Sequence, residues 1–167
     1  MLYCLYCTWL TVYIICTRKM GGHNGYHLIH TYVQLFRDGV IEAVVSGYIY
    51  FNNDRKYLGI HSLEEDIVKH STEYLSLLKE LNINPPYLMM LSLLNTNECR
   101  IEVHLSRFDP IVRSAQIILP DILIEKSPEK ISTDLRPLFD LLWNAFGFPD
   151  SPNYDKEGNW RRKPYLE

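Results

Sequence analysis

The sequence predicts an α+β fold, a single domain in which a mostly antiparallel sheet is packed by two main helices. Three observations lead there. β-rich runs flank turn residues, most clearly in "YVQLFRDGVIEAV" (32–44). Two stretches, about 63–81 and about 133–146, carry apolar residues at helical spacing. The length of 167 residues suits one domain and can bury a core without disulfides or a structural metal.

The first strand candidate lies in "MLYCLYCTWLTVYIICTRK", which is uncharged until Arg18. A membrane-spanning helix needs roughly 20 predominantly apolar residues, and this run is interrupted by Thr and Tyr. Its β-branched residues Thr8, Thr11, Val12, Ile14 and Ile15 disfavour a helix. Residues 1–20 are therefore read as a buried strand or as an extension foreign to the fold, with a start at Met20 as the second case. A signal peptide is not expected, because a basic start and a small-residue cleavage site are missing.

Within 32–44, Asp38-Gly39 suits a two-residue type I′ turn, which would set Arg37 against Val40 and Phe36 against Ile41. "YIYFNNDRKYLGI" then reads as two short strands about an Asn-Asn-Asp turn. In "SLEED", Ser62 and Glu65 have capping-box spacing, and the acids suit the positive end of the helix dipole. The first helix follows over 63–81 and ends before Pro85-Pro86.

"YLMMLSLL" (87–94) is apolar on both faces, as a central strand requires, and "CRIEVHL" alternates, with Cys99, Ile101, Val103 and Leu105 inward. These two are expected to pair as a hairpin. Pro120 confines the β-like residues around it to an edge or a break. The second helix is capped by Thr133 or Ser132, buries Leu135, Leu138, Leu141, Leu142 and Ala145, and stops at Gly147. The domain is expected to span 21–147, and 148–167 to wrap its surface as a tail.

Composition narrows the function classes. Hydrophobic residues at 47% and charged residues at 22% describe a globular chain rather than a disordered or collagenous one. The net charge of −3 gives no global basic footprint for nucleic acid, so any such surface must be local. Residues 1–61 hold five Lys/Arg against three Asp/Glu, leaving twelve against seventeen for the rest. The basic residues nominated as phosphate contacts are Arg37, Arg161, Arg162 and Lys163. Cys4, Cys7, Cys16 and Cys99 are too irregular for a secreted disulfide framework, which points to reduced thiols in the cytoplasm.

Several metal and catalytic patterns were weighed. His23, His27 and His30 would share one face of a helix, but Gly21, Gly22 and Gly25 disfavour a helix there and no acid is near to orient the rings. "CLYC" lacks the polar turn of a zinc knuckle, and "GGHNG" lacks the Lys-Ser/Thr pair of a phosphate loop. "NYDKEG" opens like a calcium loop, but Pro164 occupies the position of the bidentate Glu. Cys99, His104 and Asp109 are close in sequence, yet strand alternation separates Cys99 from His104. No metal, cofactor or catalytic residue is expected.

Three stretches together, "QLFRDGVIEAV" (34–44), "PPYLMMLSLLN" (85–95) and "LRPLFDLLWNAFGFPDSPNYDKEGNW" (135–160), resemble the C-terminal region of bacterial proteins described as Alba/Schlafen-like DNA-binding or ATP-binding proteins. The likeness covers roughly residues 25 to 160. It implies a detached or truncated accessory module, since the Alba-like domain of that family lies upstream and has no counterpart here. No functional residue of the family has a matching position to receive a role.

The expected function is thus a non-catalytic accessory or interaction module associated with DNA or RNA, directly or through a partner protein. A small hydrolase using His104 and Asp109 is one competing class. A membrane-tethered accessory protein using residues 1–17 is the other.

Overall fold

The computed structural model describes residues 8–15, 31–101, 110–126 and 130–161. The fold is α+β, as the sequence predicts. The elements are β1 (Thr8–Ile15), β2 (Tyr32–Leu35), β3 (Ile41–Ser46), β4 (Ile49–Asn52), β5 (Arg55–Leu58), α1 (Ile60–Glu80), β6 (Tyr87–Leu94), β7 (Cys99–Ile101), β8 (Gln116–Ile118), β9 (Ile122–Ile124) and α2 (Ile131–Asn144).

The larger sheet runs β2-β3-β1-β6, and β6 carries β8 and β9 on its other side. The pairings β2–β3, β4–β5, β6–β8 and β6–β9 are antiparallel. The pairings β1–β3 and β1–β6 at the centre of the sheet, and β5–β7, are parallel. Thr8–Ile15 therefore lies in the middle of the sheet, between strands that follow it much later in the chain.

Tyr87, Met89, Leu91 and Leu93 are buried along β6, and Ser71 of α1 reaches Met89. The core continues into α2 through Leu135, Leu138, Phe139, Leu142 and Trp143. Leu141 and Ala145, expected on that buried side, are exposed.

Turn chemistry is redistributed relative to the expectation. In the β2–β3 hairpin Leu35 faces Ile41, the Phe36 N–H donates to the Val40 carbonyl, and Gly39 donates back to the Phe36 carbonyl. The loop thus holds three residues, with Gly39 alone at φ 88°. This is a turn closed by a glycine bulge, which shifts the expected register by one. The turn with positive φ at both central residues is Asn53-Asp54, at 47° and 58°, between β4 and β5. Asn and Asp tolerate that region better than other side chains because they hydrogen-bond locally.

Both helices start earlier than their capping signals. α1 begins at Ile60 with Gly59 as N-cap, and α2 begins at Ile131 with Lys130 as N-cap, neither with a side-chain cap. Ile60 and Ile131 are buried. Burying an Ile side chain is worth about 1.5–3 kcal/mol, against about 1 kcal/mol for a polar cap, so the core extends each helix past its cap. Glu64, Glu65 and Asp66 consequently fall outside the first turn of α1.

α1 is terminated just beyond its end by Asn82, which takes φ 58° while Ile83 donates to the Leu78 carbonyl. α2 closes through Gly147 at φ 82°, as predicted.

The expected hairpin between 87–94 and 99–105 does not form. β6 pairs with β1, β8 and β9, while β7 joins β5 in the small sheet β4-β5-β7. Pro120 does interrupt an edge: β8 and β9 flank it, and their pairing with β6 differs by one residue in register. The segment expected to wrap the surface does so only in part, since Ser151, Asn153 and Tyr154 are buried.

The hairpin geometry gives a direct test. Gly39→Ala forces a Cβ into a left-handed position and should cost about 1 kcal/mol in urea unfolding. Asp38→Ala, at negative φ, should cost less. Equal losses at the two positions would restore the type I′ reading.

Candidate functional site

A carboxylate lies inside the molecule. Glu64 is fully buried on α1. Its Oε1 accepts from the Trp143 indole and from Ser151 Oγ at 3.0 Å. Its Oε2 accepts from Asn153 Nδ2 at 2.7 Å, Trp160 Nε1 at 3.2 Å and Ser151 Oγ at 3.2 Å. All four donors come from α2 or the segment after it.

Asn153 Nδ2 is committed to Glu64, so its Oδ1 faces His61 Nδ1 at 3.2 Å and accepts that proton. This fixes the proton-bearing nitrogen of His61, whose ring packs edge-on against Trp143. The cluster is closed by Ser151 N–H donating to Asp140 and by Tyr154 O–H donating to the Ser132 carbonyl. Arg136 lies 5.2 Å over the Tyr154 ring. Enclosed in this way, Glu64 offers no oxygen to a substrate; it latches the C-terminal segment to both helices.

The sequence carried a signal for this residue. Glu64 lies four residues after Ile60 and three before Ile67, on the buried stripe of α1. An acid on an apolar stripe calls for internal donors, and the tail supplies them.

Of the nominated basic residues, Arg37 is exposed on the β2–β3 turn. Arg161 is exposed and lies 3.8 Å from Asp155. Arg162 and Lys163 fall outside the described residues, as do His23, His27, His30, His104, Asp109, Cys4, Cys7 and Cys16. Cys99 is buried, facing inward as expected. Among the described residues no three His, Cys, Asp or Glu side chains gather as metal ligands. Nor is any described helix long and apolar enough to cross a membrane.

In "NYDKEG" the Asn153 side chain is committed to Glu64, and Asp155 accepts from the Asn159 backbone N–H at 2.7 Å. That backbone bond, more than the nearby Arg161, holds the half-buried Asp155 carboxyl below its usual value. The oxygens that suggested a calcium loop are used internally.

A second polar group lies at the junction of α1 and β3. Tyr48 O–H donates to Asp66 at the mouth of a cavity of about 30 Å³ bordered by Ala43, Val45 and Ile67. Burial, reinforced by Asp66, raises the Tyr48 phenol well above its ordinary value. A cavity of that size has room for water-sized groups.

The small sheet builds a larger site. Alternation along β5 puts Arg55 and Tyr57 on one face, and the parallel register sets Arg100 beside Tyr57. The next chain segment joins through a bridge between Cys99 and Val112, which brings Ile111 and Arg113 to the same face. Leu58, Cys99, Ile101 and Val112 point the other way, into the core.

The outward face holds an open cleft of about 700 Å³ lined by Arg55, Arg100 and Arg113 together with Asp54 and Glu98. On the opposite face of β5, Lys56 donates to the carbonyls of Asn95 at 3.1 Å and Asn97 at 2.9 Å and ties down the loop that carries Glu98. Arg100 Nη1 donates to the Glu98 carbonyl at 3.3 Å, which orients its guanidinium along the sheet.

No protein family, curated protein or solved structure matches the chain. The arginine cleft was not nominated from the sequence, because its three cations are far apart in the chain. A parallel pairing and an isolated bridge bring them together, and neither has a local sequence signal.

Glu64 yields two expectations. Glu64→Gln replaces an acceptor oxygen by an NH₂ group that meets existing donors, and should destabilise the fold by about 2–3 kcal/mol. Burial, outweighing the opposing hydrogen bonds, raises the Glu64 pKa above the ordinary carboxyl value. A carboxyl with a raised folded pKa stabilises most fully below its unfolded value, about 4.3. That contribution is lost as pH climbs through the folded value. The difference in unfolding free energy between the parent chain and E64Q should therefore narrow as pH rises above about 4.3. A difference that widens over this range would reverse the assignment.

Proposed function

We propose that the chain is a non-catalytic binding module that holds the phosphate backbone of DNA or RNA in the arginine-lined cleft of its small sheet. The observation that carries this reading is the convergence of Arg55, Arg100 and Arg113, from three separated segments, on one open outward face. Guanidinium groups match phosphate oxygens in bidentate geometry, which suits them to backbone contacts. Their local excess over Asp54 and Glu98 stands against a chain whose net charge is −3. That contrast favours a confined contact over diffuse electrostatic adsorption.

Glu64 is enclosed and Cys99 is buried, so neither presents a reactive group to a substrate. The resemblance to the C-terminal region of Alba/Schlafen-like proteins belongs to the same proposal, as do a cytoplasmic location and reduced cysteines. Arg37 and Arg161, exposed elsewhere, can add individual phosphate contacts.

Fluorescence anisotropy against salt tests the reading. Three phosphate contacts give a slope of log affinity on log salt of about −2 to −3, or about 16–64-fold weakening over a fourfold rise in salt. R55A/R100A/R113A should flatten that slope by about two or more while leaving the unfolding midpoint close to the parent's. A parent protein with no salt-dependent binding, or a triple variant that binds like the parent, would refute the proposal.

A further inference from the structure

The outward face of the small sheet carries aromatic rings as well as cations. Tyr50 faces Tyr57 across the β4–β5 ladder, with ring centroids 6.1 Å apart and planes 26° from parallel. Both rings are half-buried. Tyr57 shares its face with Arg55, two residues before it on β5, and lies beside Arg100 on β7. The stacked pair therefore adjoins the arginine cleft on one continuous surface.

We infer that this face binds single-stranded nucleic acid, with bases stacked against Tyr50 and Tyr57 and the backbone held by Arg55, Arg100 and Arg113. The inference rests on the backbone-binding reading above and specifies its substrate class. A tyrosine face can take a base only when that base is unstacked from its neighbours, which a single strand offers and a duplex does not. The cations lie on a sheet face, and none is carried on a helix of the kind that enters a major groove to read base edges. Stacking of this type tolerates any base, so the face selects strandedness rather than sequence.

The test compares a labelled oligothymidylate of about 12 nucleotides, within the span a single-strand groove covers, with a hairpin duplex of matched length. The full chain should bind the single strand at least about tenfold more tightly. Y50L/Y57L keeps apolar bulk but removes both ring faces, and should weaken single-strand binding about 10–100-fold, or about 1.4–2.8 kcal/mol in total. Its weak duplex binding should not change. Photo-crosslinking of the unsubstituted protein to the oligothymidylate, read by mass spectrometry, gives an independent measure and should mark Tyr50 or Tyr57.

Salt-dependent binding that ignores strandedness, with Y50L/Y57L matching the parent and crosslinks elsewhere, would overturn this inference while leaving the arginine cleft standing. An absence of binding to either nucleic acid would overturn both.

Discussion

A carboxylate taken out of water must be matched by donors, and Glu64 sets that requirement at the point where the two helices meet. Removing the charge from solvent costs several kcal/mol unless its lone pairs are met. Here they are met by two indoles, a hydroxyl and an amide, with no cation among them. The donors lie at residues 143–160 and the acceptor at 64, so the C-terminal segment cannot leave without stranding a buried acid. Directional contacts of this kind specify one docking geometry, where an apolar contact of equal area would accept several. The position of α2 against α1, and of Tyr154 against α2, follows from that match.

The local parts of the fold were legible in the sequence. Helical spacing located α1 and α2 to within a turn, Gly147 marked the end of α2, and Asp38-Gly39 marked a reversal. Errors arose where a local preference competed with the core. Ser62 and Thr133 are good caps, yet Ile60 and Ile131 are worth more when buried. Asp38-Gly39 suits a two-residue turn, yet the observed register pairs Leu35 with Ile41 and leaves Gly39 as a bulge. Non-local pairing was the least legible level. Periodicity identifies a strand at 99–101 but cannot reveal that its neighbour is 56–58 rather than the adjacent 87–94.

The candidate site follows the same division. The cations that stand out in the sequence, Arg37 and Arg161–Lys163, do so because they are isolated or adjacent in polar segments. The site that the fold assembles uses arginines separated by 45 and 13 positions in the chain, brought together by β5–β7 pairing and the Cys99–Val112 bridge. Ile49, Leu58, Cys99 and Ile101 on the inner face of that sheet are buried in the core, so alternation sends Tyr57, Arg55 and Arg100 outward together. Packing on one side of the ribbon thus composes the chemistry on the other.

The one-residue slip between β8 and β9 bears on how the molecule behaves among its own copies. An unbroken, flat strand at the margin of a sheet is a template on which another chain can grow. Along this margin of β6 the outermost backbone runs in register for three residues, breaks at Pro120, and resumes out of step. An incoming strand that matched Gln116–Ile118 would mismatch Ile122–Ile124, and the proline denies it a donor between them. Ile118 and Leu123 can therefore stay exposed here at little risk of fibrillar growth.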